Sequence, residues 1–124
     1  LAAYSNVTVM SHNLGGNIAY EIERLDHRNH LDRPNDELPS KRFRAARIMV
    51  DCNSFGARAI ECAVEVFGAD KIVLGTDGTE FGMKWSRDAI GSARITEAEK
   101  RAILEGNAQA LLARVRAAPM AKAA

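Results

Sequence analysis

Two short apolar stretches of this chain each run into a side chain able to bind a divalent metal. Val7-Thr8-Val9-Met10-Ser11 leads into His12, and Lys71-Ile72-Val73-Leu74-Gly75-Thr76 leads into Asp77. Glycine follows both, as Gly15-Gly16 after the first and Gly78 after the second. In α/β proteins, ligands and catalytic groups collect at the C-terminal ends of parallel strands. An imidazole and a carboxylate brought to one sheet edge could form half of a metal site. Asp77 has a plainer reading too, because Asp-Gly is a common turn.

Other residues carry weaker signals. Cys52 and Asn53 end a second apolar stretch and are expected to line the same mouth, with Asn53 or Ser54 donating a hydrogen bond to substrate. Cys52 as a nucleophile would need a neighbouring base. Glu80 follows Asp77 closely and could handle a proton, although its spacing to Lys84 suits a helical ion pair. Arg24, Arg28 and His27 could meet a substrate carboxylate, since arginine offers carboxylates a bidentate fork. An ordinary solvated helix face explains them as well. His27 and His30 read as a surface pair. Gly15-Gly16 lacks the spacing of a phosphate loop and reads as a tight turn beside the candidate ligand.

The elements that must position these groups follow from the pattern of apolar residues. The chain has 124 residues with a formal net charge of +1, 47% hydrophobic and 27% charged residues. That is one soluble domain with a modest core and no electrostatic footprint for nucleic acid or anionic membrane. No apolar run approaches the ~20 residues that span a bilayer. Cys52 and Cys62 form neither a metal pair nor a disulfide framework, so a cytoplasmic setting is expected, with Cys62 as buried packing. Leu1-Ala2-Ala3-Tyr4 reads not as a signal peptide but as the last turn of a helix cut in mid-fold.

Strands are expected at 7–11, 48–50 and 72–74. Ile18, Ile22 and Leu25 mark a helix that fades into a polar loop with two prolines. Ser40 is positioned to cap a short basic helix ending near Ala46. Ile60, Ala63, Val64 and Phe67 make the buried stripe of the next helix, which Gly68 ends. A further helix is expected around 85–93. Thr96-Glu97-Ala98-Glu99 is a capping box that opens a helix over 97–105. Gly106-Asn107 stops it and caps a last helix over 108–117. The tail at 119–124 is expected to fray. Strand and helix alternate, which argues for a parallel sheet with right-handed crossovers.

Four stretches together resemble a known family in order and spacing. They are Ser11-His12-Asn13-Leu14-Gly15-Gly16, Glu23-Arg24-Leu25-Asp26-His27, Ile72-Val73-Leu74-Gly75-Thr76-Asp77, and Ile103-Leu104-Glu105-Gly106-Asn107-Ala108 with Leu111-Leu112. They are similar to the C-terminal part of the metal-dependent amidohydrolase superfamily. Within it, the chain resembles amidohydrolase family 2, the branch named after aminocarboxymuconate semialdehyde decarboxylase.

The resemblance implies an α/β fold: the C-terminal part of a (β/α)8 TIM barrel, with about three parallel strands within residues 1–118. It implies His12 as a metal ligand from a middle strand. It implies Asp77 as the late-strand aspartate that binds the metal or its water and acts as the catalytic base. The metal would be divalent, zinc or else manganese, and the substrate a small aromatic or unsaturated carboxylic acid; the residues themselves, rather than the resemblance, suggest Asn53, Arg24 and Glu80 as its contacts. The family's early His-x-His strand is not found here. A typical barrel needs about 250 residues, so the missing N-terminal half would supply the remaining ligands, and the 124-residue chain alone is expected to be inactive. Decarboxylases of the branch carry a histidine near the place of Phe55, which tilts the expectation toward a hydrolase. A homo-oligomer is expected, with no nucleic acid or membrane partner. The alternative is a non-catalytic α/β interaction module that needs a partner chain, because an open three-stranded sheet exposes apolar edges.

Overall fold

A computed structural model describes Tyr4 and residues 7–53, 55–78 and 80–117. The expected tail at 119–124, the helical start at Leu1-Ala2-Ala3 and Ser54 lie outside the described residues. The order is β1 (Val9–Ser11), α1 (Ile18–Asp32), α2 (Pro39–Ala45), β2 (Ile48–Asp51), α3 (Ala57–Phe67), β3 (Ile72–Val73), α4 (Gly82–Ser92), α5 (Glu97–Arg101) and α6 (Asn107–Ala117). The three strands form one parallel sheet in sequence order. Ser11 lies opposite Val50, and Asp51 opposite Val73.

The core forms between the sheet and the helices that cover one face. Val50, Cys52 and Ile72 of the sheet region meet Ile60, Ala63 and Phe67 of α3, with Leu14, Ala89, Ile90, Ala93 and Ile103 around them. The α3 stripe follows the helical repeat, as its sequence requires. Cys62 lies off that stripe and is exposed, so it is not the packing residue expected; Cys52 is the buried cysteine. Phe67 stacks on Phe43 of α2 with ring centroids 4.5 Å apart. Gly68 ends α3 with φ +90, a left-handed backbone that glycine adopts without strain.

On the β1 side much apolar surface stays open. Ile22 is buried in α1, but Leu25, Tyr20 and Leu31 are exposed, as are Val7, Val9 and Met10. The expected stripe of Ile18, Ile22 and Leu25 is therefore only partly covered.

Two helix boundaries differ from expectation for identifiable reasons. Ser40 is not the cap of α2, which begins at Pro39 with Leu38 before it. Instead the Asp26 carboxylate accepts the Ser40 backbone N–H at 2.9 Å and its hydroxyl at 2.5 Å, capping α2 from α1. The Thr96–Glu99 capping box forms as expected. The helix it opens does not stop at Gly106, however. A π segment, Ala102–Gly106, joins α5 to α6.

That segment turns polar groups toward β3. The Ile103 carbonyl accepts the Leu74 N–H at 3.0 Å. The Asn107 amide donates to the carbonyls of Ala69 and Ile72, each at 2.7 Å. Val73 already bonds the β2 side through its carbonyl, at 3.0 Å from the Cys52 nitrogen. By strand alternation, Ile72 and Leu74 face the other edge, so a helix covers that edge of β3.

Candidate functional site

The chain leaves β1 through an unusual turn. His12 is extended, but Asn13, Leu14, Gly15 and Gly16 all have positive φ, from 50 to 75 degrees. Two glycines and an asparagine tolerate this; Leu14 does so as a non-glycine residue held by burial. The Gly15 N–H returns to the His12 carbonyl at 3.0 Å and the Gly16 N–H to that of Asn13 at 2.8 Å. The tight turn ends the strand and leaves the His12 side chain on the rim, 61% exposed.

β2 ends beside it. Because side chains alternate along a strand, Asp51 and Asn53 share one side and Cys52 takes the other. Cys52 therefore packs into the core and does not line the mouth as expected. Its thiol is pushed up from its ordinary value, chiefly by burial and further by the nearby Asp51 charge, with opposing help from the Gly75 backbone. A buried thiol shifted this way is a poor nucleophile.

Asp51 makes the contact that defines the site. Its Oδ2 lies 2.7 Å from His12 Nδ1. Its Oδ1 accepts the Asn13 N–H at 3.2 Å and the Asn53 N–H at 3.3 Å. The Asn53 side-chain nitrogen is 2.9 Å from His12 Nε2 and 3.3 Å from Nδ1. The structure thus brings His12 and Asn53 together, as the sequence suggested, and adds Asp51. The signal for Asp51 was present: it too follows an apolar strand.

Asp77 stands differently. It follows β3 with φ 51 and is exposed. Its carbonyl accepts the Glu80 N–H at 3.0 Å, while the Gly78 N–H meets Thr76 Oγ1 at 3.1 Å. Glu80 is exposed, and Lys84 pairs with Asp88 rather than with Glu80. Arg24 lies on the exposed face of α1, near the ion pair of Arg28 with Asp32. Among the described residues, no group of three or more His, Cys, Asp or Glu side chains converges as metal ligands would. Phe55 is half-buried and packs against the core. No helix among the described residues is long and apolar enough to cross a membrane.

The donor chemistry suits a divalent ion in part. A histidine that ligates a metal usually gives its other ring N–H to a carboxylate, and Asp51 meets His12 in that way. Asp77 offers a hard oxygen donor suited to manganese or zinc. Two donors fall short of the three protein ligands typical of a catalytic site.

Residues 23–114 match the family model described as Amidohydrolase. The chain is 26% identical over 113 residues to gamma-resorcylate decarboxylase of Polaromonas sp. (strain JS666 / ATCC BAA-500), covering 87% of this chain and 35% of that protein. A solved dihydroxybenzoic acid decarboxylase from Polaromonas sp. JS666, with bound manganese and the inhibitor 2-nitroresorcinol, superposes with a TM-score of 0.77 at 24% identity. That match covers 94% of this chain and 36% of the other. The 4-oxalomesaconate hydratase of Rhodopseudomonas palustris gives a TM-score of 0.70 at 18% identity, covering 94% and 38%. The chain therefore spans about a third of the length of these relatives. Its three parallel strands and helices correspond to part of their TIM-barrel fold. The chain belongs to the amidohydrolase family.

Proposed function

We propose that this chain supplies the C-terminal third of a metal-dependent decarboxylase that acts on a small aromatic carboxylate, such as a dihydroxybenzoate. One observation carries the reading: gamma-resorcylate decarboxylase matches 87% of this chain, and the family match over residues 23–114 takes in β2, β3 and the segment with Asp77. The place of Phe55 favoured hydrolysis, but the similarity to decarboxylases outweighs a single position.

His12 and Asp77 would hold a divalent metal, manganese or zinc, with further ligands from elsewhere in a longer protein. Such a metal supplies charge stabilisation to the oxygens of a bound substrate. The protein's own residues do the rest. Decarboxylation places a proton on the ring carbon that bears the carboxylate. The carbon–carbon bond then breaks, carbon dioxide leaves, and the bonding electron pair returns to the ring. Asp77 is the exposed rim carboxylate that can exchange this proton. Asn53 is buried beside the His12 ring and so backs the site rather than meeting substrate as expected, while Glu80 is exposed on the segment after Asp77.

A second assignment has its own support. A carboxylate on one imidazole nitrogen is the arrangement of a general acid–base histidine, and no third metal donor converges on His12 among the described residues. In that assignment His12, through Nε2, carries the proton.

The test uses the full-length protein, 2,6-dihydroxybenzoate as substrate, and elemental analysis for metal. Carbon dioxide release should stop on chelation and return with manganese or zinc. His12→Asn should reduce the rate at least about 100-fold. Loss of metal in that variant would make His12 a ligand; retained metal with lost activity would make it the proton carrier. A protein that binds no divalent ion and releases no carbon dioxide from any dihydroxybenzoate would sink the proposal.

A further inference from the structure

Three features around His12 go beyond its assignment to the site. First, the Asp51 carboxylate accepts hydrogen bonds, so at 2.7 Å the proton on the shared line belongs to His12 Nδ1. In the neutral ring, Nε2 is then the nitrogen with the free lone pair. Second, the Asn53 amide does not take that lone pair. The Nε2 lone pair points away from Nδ1, whereas the amide nitrogen is 2.9 Å from one ring nitrogen and 3.3 Å from the other. A group that near to both lies beside the ring carbon between them or over the ring face. The Nε2 lone pair is thus left on a side chain that is 61% exposed.

Third, the closeness of Asp51 depends on a glycine in the neighbouring chain segment. A Cβ on Gly75 would come within 2.9 Å of Asp51 Cβ, 3.1 Å of its Cγ and 3.2 Å of Asn53 Cβ. The first distance is shorter than real Cβ contacts allow, and the atoms met are at the base of the side chains, where they cannot swing away. Gly75 has no positive φ. The need for glycine here is therefore one of space.

We propose that Asp51 is a positioning residue, which fixes His12 as the Nδ1–H tautomer and leaves the Nε2 lone pair free, and that Gly75 is the glycine that makes room for it. The catalytic importance of this rests on the decarboxylase reading; the tautomer and orientation do not. Asp51 also holds two backbone N–H groups, so loss of stability alone cannot separate positioning from structure. A spectroscopic signature can.

The experiment is nitrogen-15 NMR of histidine-labelled full-length protein, freed of divalent ions by chelator, with His12→Gln to assign the signals. In the unsubstituted protein, Nδ1 of neutral His12 should resonate as a protonated, pyrrole-like nitrogen and Nε2 as a pyridine-like one. Asp51→Asn should shift His12 toward the averaged values of two exchanging tautomers. Gly75→Ala should do the same although both Asp51 and His12 remain. In the metal-loaded enzyme, kcat for 2,6-dihydroxybenzoate should fall about 10- to 100-fold in either variant with KM little changed. An Nε2–H tautomer in the unsubstituted protein would overturn the proposal, whatever happens in the variants. So would unchanged His12 signals in a folded Asp51→Asn or Gly75→Ala protein. If the unsubstituted enzyme releases no carbon dioxide while the tautomer results hold, the decarboxylase reading fails and the positioning claim stands.

Discussion

The ends of β1 and β2 form a knit rim, while the end of β3 presents an open one. His12, Asp51 and Asn53 contact one another across two strands, and Asp51 has both oxygens engaged. Asp77 follows the same apolar-strand pattern but projects from a left-handed turn into solvent. The same sequence signature has thus produced a preorganised group in one place and a loosely held one in the other. The difference lies in what flanks each strand. β2 has a strand on both sides, and Gly75 lets its terminal carboxylate lie close. β3 has a strand on one side and a helix on the other.

The largest effect that would sharpen this contrast comes from Asp77→Gly. A non-glycine residue at φ 51 carries some strain, which aspartate tolerates better than most. Glycine relieves that strain, by up to about 1 kcal/mol, although its extra freedom in the unfolded chain offsets part of the gain. The expected outcome is a full-length protein of equal or slightly higher melting temperature whose carbon dioxide release falls at least about 100-fold. A clear drop in melting temperature would show that Asp77 is also tied into the fold, and the contrast between the rims would weaken.

A smaller effect tests what holds β3. The Asn107 amide bonds two carbonyls, those of Ala69 and Ile72. Asn107→Ala leaves both without that donor, with an expected loss of about 1–3 kcal/mol. Hydrogen exchange should quicken at Leu74 and the amides after it, while Asn13 and Asn53, bonded to the Asp51 carboxylate, keep their protection. Equal loosening at both rims would mean that the two ends are one cooperative unit.

These particular residues also show what could be read from the chain. The strand that leads to His12, the α3 stripe and the Thr96 capping box follow from local patterns and formed as expected, while β3 ends at Val73, short of Asp77. Asp51 was equally visible, since Ile48-Met49-Val50-Asp51 repeats the pattern that drew attention to Asp77. What no local pattern contains is the cross-strand meeting of Asp51 with His12, 39 positions away. Gly75 likewise gives no sign in the sequence of the Asp51 and Asn53 side chains it meets in space. Gly106-Asn107 looks like a helix stop because glycine and asparagine end helices locally. The stop is overridden because the Asn107 side chain finds the carbonyls of Ala69 and Ile72, before and in β3, and the π segment lets the helix continue. Cys62 was misplaced because an apolar residue beside a buried stripe need not lie on it.

The smallest predicted effect concerns the tie between α3 and the segment after α4, downstream of the open rim. The Glu61 carboxylate accepts the Arg94 backbone N–H at 2.7 Å and its guanidinium at 3.3 Å. The backbone bond first, then the side-chain bond, holds the Glu61 carboxyl below its usual value. A carboxyl lowered in the folded state stabilises above its unfolded value, about 4.3. That contribution disappears as pH falls through the lowered folded value. Melting curves of the unsubstituted protein and Glu61→Gln should therefore differ by a constant small amount from neutral pH to about 5, and converge in more acidic solution. Solvent screening keeps the difference small. A gap that widened on acidification would reverse the sign and show that Glu61 binds its proton more readily in the folded chain, which the two bonds from Arg94 oppose. A gap that closed as expected would place this tie among the weak supports of the β3 side, leaving the contacts of Asn107 as its principal anchor.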